Sequence, residues 1–291
     1  MRNLLTIIAL LLIFCGSSQA EVLYKVTDND RTYWLMGTLH LGKPDSLQLS
    51  ATARQALRAS EQILLEMSPE ELTNGQMAIL QAGKREQGQL QDQLSAEQWQ
   101  ALVNLAQQYR IPETMLNQFE AWFVQLVILS QAVAQEGYAS NGGVESQIIA
   151  YAQQQQLHIE GLETAEQQIS ALTQAQQQAG ENALIEQLLQ EVGQLTEQVN
   201  QLTDAWIAGD LNQITQMVMN EMDVSTRDVL LTDRNRRWFA HLQQSDDEQI
   251  FIAVGSAHLG GEHGLLTLFK QAGAHVVDFS NRDIAAQAGS G

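Results

Sequence analysis

Short apolar runs rich in β-branched and aromatic residues recur along this chain, separated by much longer stretches whose apolar positions repeat every 3.6 residues. The runs occupy residues 32–36, 62–67, 157–160, 249–254 and 275–279, each too short to serve as a buried helix. Strands joined through helices form crossovers, and crossovers build parallel sheets. The pattern therefore predicts an α/β fold with a central, mostly parallel sheet. Helical sequence is in excess: residues 70–137 and 164–245 each hold more than one crossover needs. They are expected to form large helical insertions packed over one end of the sheet. Helix starts are legible at Ser68-Pro69-Glu70-Glu71, where Ser68 caps, Pro69 suits the first turn and Glu71 can reach back. Ser95-Ala96-Glu97-Gln98 and Thr164-Ala165-Glu166-Gln167 repeat the capping-box pattern, and Asp210 caps a helix with Leu211, Ile214, Met217 and Val218 facing inward. No Gly/Ser-rich linker divides residues 21–291, which read as a single domain.

The first twenty residues read differently. Arg2 is followed by an apolar run over residues 4–14, and Ser18 and Ala20 place small residues at −3 and −1 of a cut after Ala20. That is a signal-peptide pattern, its apolar run shorter than the roughly 20 residues needed to span a bilayer. Phe14 is too bulky to precede a lipidated cysteine at Cys15. Because Cys15 is the single cysteine, cleavage leaves none, excluding disulfides, thiol catalysis and cysteine-based zinc sites. No membrane anchor is expected after cleavage, and residues 121–134, interrupted by Gln125 and Gln131, read as a buried helix. A periplasmic or secreted location follows. With 34 acidic and 15 basic residues the chain carries a formal charge of −19, a field that repels nucleic-acid phosphates and anionic headgroups.

Two segments suggest chemistry. Tyr33-Trp34-Leu35-Met36-Gly37-Thr38-Leu39-His40 and Phe251-Ile252-Ala253-Val254-Gly255-Ser256-Ala257-His258 each run an apolar strand into Gly-x-x-His. Ligands of open α/β sheets bind beyond the carboxyl ends of strands, so both imidazoles are expected at one crevice. Glu66 closes the apolar run Ile63-Leu64-Leu65, where a carboxylate is costly unless paired or bound to a cation. Two imidazoles and a carboxylate suit a catalytic divalent metal, with zinc, manganese or cobalt all compatible with His40, Glu66 and His258 as ligands. Either histidine could instead be an ordinary strand-end residue, and Glu66 a salt-bridge partner.

Trp34-Leu35-Met36-Gly37-Thr38-Leu39-His40, Gly161-Leu162-Glu163-Thr164, Arg234-Asn235-Arg236-Arg237-Trp238 and Val254-Gly255-Ser256-Ala257-His258-Leu259-Gly260-Gly261 together resemble the TraB/PrgY/GumN family, which includes the Tiki proteases. The resemblance covers nearly all of the chain after residue 20, in the right order. It implies an α/β fold shared distantly with erythromycin esterases and ChaN-like haem-binding proteins. It also implies a metal-dependent hydrolase site at His40, His258 and Glu66, with manganese or cobalt in the Tiki branch, and a peptide or protein as substrate. Arg234 and Asn235 match the family's Arg-Asn pair and are candidate catalytic helpers, the guanidinium holding a carboxylate or an oxyanion. Alternatively, Arg234 pairs with Asp228 or Asp233 on the surface.

Glu163 is placed to reach the crevice or to serve the helix starting at Thr164, and His263 is a further candidate ligand. His158, His241 and His275 read as structural, and Trp122, Trp206 and Trp238 as core. Phosphate-loop, His-Glu-x-x-His and Gly-x-Ser-x-Gly signatures do not occur. Two further functions fit the same residues: a non-catalytic periplasmic binding or regulatory protein, and a haem- or metal-binding protein.

Overall fold

The computed structural model describes residues 21–44 and 46–280, without the side chains of residues 176–179; the expected signal peptide, residues 1–20, lies outside the described residues. Six strands form one sheet: β1 (Leu23–Asp28), β2 (Arg31–Thr38), β3 (Gln62–Leu65), β4 (Ile159–Gly161), β5 (Gln249–Gly255) and β6 (His275–Asp278). Their order is β4-β3-β5-β2-β1-β6. β4, β3, β5 and β2 run parallel, while β1 is antiparallel to both β2 and β6. The result is a mixed α/β sheet in which only β1 is reversed.

The five anticipated runs are all strands, and β1 is an addition. Leu23-Tyr24-Lys25-Val26-Thr27-Asp28 mixes polar and apolar positions and earns its place by pairing. It joins β2 through a tight turn at Asn29, whose φ of 53° lies in the left-handed region that asparagine tolerates. β5, by contrast, is buried along Ile250-Phe251-Ile252-Ala253-Val254, as a parallel strand covered on both faces must be.

The register fixes where chemistry can occur. Leu65 of β3 lies opposite both Ala253 of β5 and Gly161 of β4, and Thr38 of β2 lies opposite Gly255. Four neighbouring parallel strands thus end together, and the residues just beyond them share one edge.

The insertions build a hydrophobic cluster separate from that of the sheet. Leu90, Trp99, Leu102, Phe119, Trp122, Phe123 and Ile128 from the β3–β4 connection pack with Leu184, Ile185 and Leu188 from the β4–β5 connection. Arg85 ties the two insertions together by pairing with Glu120 and Glu181. Their helices begin largely as the sequence indicates. Ser95 and Gln98 form a reciprocal capping box, as do Thr164 and Gln167, and Asp210 caps Leu211–Glu221. At Ser68 the hydroxyl accepts from Glu71 N–H, but the Glu71 carboxylate does not reach back: it accepts from Ala165 N–H at 2.7 Å, tying the two insertions at a second point. Trp206 anchors the second insertion to the sheet, its indole N–H donating to Gly37 C=O at 2.7 Å.

Gly83, the last residue of the helix Pro69–Gly83, has Phe123 against it with no space for a Cβ, and Phe123 is itself stacked on Phe119 at 4.7 Å. Gly83→Ala should therefore overpack this cluster and lower stability by about 1–3 kcal/mol in urea unfolding; an unchanged midpoint would show that the joint is loose.

Candidate functional site

Each of the four parallel strands delivers one side chain to the common edge. His40 stands two residues past β2, Glu66 one past β3, Glu163 two past β4 and His258 three past β5, on a 3₁₀ turn over Ser256–His258. Glu66, Glu163 and His258 are buried, with 5%, 5% and 4% of their surface exposed. His40 sits at the mouth, with 61% of its side chain exposed.

Arg234 organises the buried part. It projects from the helix Asp233–Leu242, which continues a π-helical turn over Asp228–Thr232, a helical irregularity frequent at functional sites. Its Nε donates to both Glu163 oxygens at 3.1 Å, and Nη2 donates at 2.6 Å to Glu163 Oε1 and to Glu66 Oε2. Nη1 donates to Leu230 C=O at 3.0 Å and faces His258 Nε2 at 3.1 Å. Trp238 covers the group, 4.7 Å from the guanidinium and 4.5 Å from the His258 ring. The surface pairing open to Arg234 is taken instead by Arg236, 3.6 Å from Asp233. Arg237 reaches Glu163 only at 4.0 Å, from an exposed position.

Asn235 fixes the second imidazole. Its Nδ2 donates to His263 C=O at 2.9 Å, leaving Oδ1 to accept from His258 Nδ1–H at 2.7 Å. The His258 proton therefore sits on Nδ1, and the Nε2 lone pair faces Arg234 and the Glu66 carboxylate 3.8 Å away. Burial, reinforced by the Arg234 charge, depresses the His258 pKa to about 3, so this ring is neutral at physiological pH. Burial alone would raise the Glu66 carboxyl. The neighbouring imidazoles, Arg234 and the Gly255 N–H, donating at 2.8 Å, together hold it below the usual carboxylate range.

The first Gly-x-x-His has a partner the sequence reading did not single out. Glu145, in the first turn of the helix Val144–Gln155, accepts from Thr38 Oγ1 on Oε1 and meets His40 Nδ1 with Oε2, both at 3.0 Å. This carboxylate raises the His40 pKa above the ordinary value, although water at the exposed ring screens part of the attraction. The contact depends on glycines. Gly42 and Ala139 exchange backbone hydrogen bonds, Val144 N–H donates to Leu39 C=O, and a Cβ on Gly142 or Gly143 would strike the Gly42 or His40 carbonyl. The only signal in the sequence was Gly142-Gly143 immediately before an acidic helix start.

Gly255 shows that the strand ends converge. A Cβ there would lie 3.2 Å from Glu66 Oε1, 3.6 Å from His40 Nε2 and 3.7 Å from His258 Cδ2. His40, Glu66 and His258 line one small space beside Gly255, but His258 turns a ring carbon towards it. Among the described residues, His40, Glu66 and Glu145 form a group whose ligand atoms lie within 4.8 Å of one another, a spacing compatible with one cation, and His258 falls outside this ligand-spaced group. Gln168 adds a polar roof, donating to Glu66 Oε2 at 3.1 Å and Glu163 Oε1 at 3.3 Å. His263 contributes its backbone carbonyl, and His158 lies on the surface near Glu160. Trp122 and Trp206 are core residues, whereas Trp238 is both core and site wall.

Removing Arg234 would leave two carboxylates side by side in a dry site. Arg234→Ala is expected to cost about 3–5 kcal/mol at neutral pH. Without the guanidinium the buried Glu66 and Glu163 carboxylates lose their shared partner, so protonation at lower pH should relieve the uncompensated charge and the stability deficit should shrink. Urea unfolding of wild type and variant at pH 7 and 5 checks this; a deficit that does not shrink at pH 5 would refute it.

Comparison with known proteins gives one family: the model of the TraB/PrgY/gumN family matches residues 22–277. Relatives include an uncharacterized protein, YbaP, of Escherichia coli (strain K12), 24% identical over 81% of this chain and 87% of the relative. YbaP of Shigella flexneri, also uncharacterized, is 24% identical over 79% of this chain and 85% of its own length. No solved structure matches significantly.

Proposed function

The chain belongs to the TraB/PrgY/gumN family, and from the chemistry of its strand ends we propose that it is an exported, metal-dependent hydrolase acting on peptides. The observation that carries this reading is the convergence of His40 Nε2, Glu66 Oε1 and the His258 ring on the space left by Gly255. The donor set fits a divalent ion. With both imidazoles neutral, as cation binding requires, the carboxylates of Glu66, Glu163 and Glu145 exceed the buried guanidinium by two charges. Imidazole and carboxylate suit manganese, cobalt or zinc.

His40 and Glu66 would hold the ion, with His258 Nε2, 3.8 Å from Glu66 Oε1 and facing Arg234, at the edge of the set. When bound, such an ion polarises a carbonyl oxygen and brings the pKa of water towards neutrality. The protein's own groups do the rest. Asn235 keeps the His258 proton on Nδ1 and its lone pair on Nε2, and Arg234 immobilises Glu66 through its second oxygen. The same guanidinium lies where charge developing on a substrate oxygen would be stabilised. The finer kinship with Tiki proteases, erythromycin esterases and ChaN-like proteins belongs to this reading, as does export to the periplasm or exterior, supported by the pattern of residues 1–20. Amino-terminal sequencing of the exported protein should begin at Glu21; retention of residues 1–20 would overturn export by cleavage.

One observation favours a second reading, a non-catalytic binding protein. Arg234 already engages both Glu66 and Glu163 and faces the His258 lone pair, so the cluster is satisfied without an ion. Metal analysis and peptide cleavage on untagged protein separate the two. The hydrolase reading expects stoichiometric manganese, cobalt or zinc. It also expects cleavage that falls at least about 100-fold in His40→Ala and His258→Ala, with the fold intact. A folded protein that retains no metal and cleaves nothing, or whose cleavage survives both substitutions, overturns it.

A further inference from the structure

We propose that Glu145 is a positioning residue that orients His40 and fixes its tautomer without itself holding the cation; this rests on the metal-centre reading above. Glu145 is part of the ligand-spaced group, but its oxygens act behind the ring, Oε1 accepting from the Thr38 hydroxyl and Oε2 meeting His40 Nδ1, each at 3.0 Å. The opposite ring nitrogen, Nε2, faces the Gly255 space beside Glu66 Oε1. A carboxylate accepting from Nδ1–H forces the proton onto that nitrogen and leaves Nε2 as a lone pair aimed into the site. Carboxylates behind metal-binding imidazoles act in this way, fixing ring orientation and raising ligand basicity. His40 needs such help more than His258 does, since its side chain is 61% exposed and little else confines the ring.

The backbone shows how the contact is held. The strand end carrying Thr38 and His40 is locked to the start of the helix Val144–Gln155 by hydrogen bonds from Val144 N–H to Leu39 C=O and between Gly42 and Ala139. Gly142 and Gly143 permit the close approach, since side chains at either position would strike backbone carbonyls. Thr38, in the same strand, grips the carboxylate from the other side. The carboxylate is thus held by one hydroxyl and one helix start, and the imidazole has a fixed acceptor.

Two measurements test this, and the first needs no metal. Long-range proton–nitrogen correlation spectra of the His40 ring, taken at alkaline pH where the imidazole is neutral, report which nitrogen carries hydrogen. Wild type should show the Nδ1–H tautomer, and Glu145→Ala should revert to Nε2–H, the form free histidine prefers. The second titrates manganese into wild type, Glu145→Ala and Glu145→Gln. Glu145→Ala should weaken binding by about 10–100-fold, whereas Glu145→Gln, whose amide oxygen still accepts from Nδ1–H, should recover most of it. An unchanged tautomer in Glu145→Ala overturns positioning. Glu145→Gln binding as weakly as Glu145→Ala overturns it too, because the loss would then follow the charge of a direct ligand. Wild type that shows the Nδ1–H tautomer but binds no manganese, cobalt or zinc refutes the metal centre and leaves the positioning contact standing.

Discussion

A single buried guanidinium holds the functional edge of this molecule together. Arg234 joins carboxylates delivered by two different strands, Glu163 after β4 and Glu66 after β3, and reaches the imidazole delivered by β5. Neither carboxylate could be buried alone, since an unpaired charge removed from water costs several kcal/mol. The arginine can span them because its planar fork offers donors in two directions, which a lysine's point charge does not. Trp238 closes the other side, excluding water and strengthening each of these contacts. Take the guanidinium away and the strand ends repel one another.

That dependence explains the π-helical turn over Asp228–Thr232. An extra residue in the turn shifts the register of everything after it, here Arg234, Asn235 and Trp238. All three then point at the strand ends: the guanidinium at two acids, the amide at His258 and the indole over both. Adjacent residues of a regular helix diverge by about 100°, so convergence of neighbours Arg234 and Asn235 on one histidine needs the ring to lie between them. His258 lies there, with Nε2 towards one residue and Nδ1 towards the other.

Much of this was legible from residue order, for a physical reason. A parallel strand covered on both faces must be a short apolar run, and whatever follows it stands at the ligand-binding edge, so His40, Glu66 and His258 could be assigned to one crevice from the strands alone. Arg234 and Asn235 were identifiable as a pair and Glu163 as able to reach the crevice, but the meeting of Arg234 with Glu163 was not, because they are 71 residues apart and are brought together by the β4–β3 pairing. Glu145 was invisible for a related reason. It lies 105 residues from His40, at a helix start where acids are common, and only the crossing of two glycine-containing backbones unites them. β1 escaped because it is antiparallel and only partly buried; its polar positions leave no apolar run, and its pairing comes from the tight turn at Asn29.

The same arginine sets a limit on how tightly the edge can hold a cation. Two unit charges about 4 Å apart interact by roughly 4 kcal/mol at an effective dielectric of about 20, and a divalent ion doubles that. On the metal-centre reading, Arg234 would repel the ion while also holding Glu66 Oε2, leaving only Oε1 to face it. The carboxylates offset the repulsion unequally, because Glu163 is spent on Arg234 itself and Glu145 acts from behind His40. What remains for the ion is one Glu66 oxygen and imidazole nitrogen, a softer and weaker set than a cage of carboxylates. Such a site suits borderline ions such as manganese, cobalt or zinc, which imidazole and carboxylate bind together, better than the hard calcium ion that needs many oxygens.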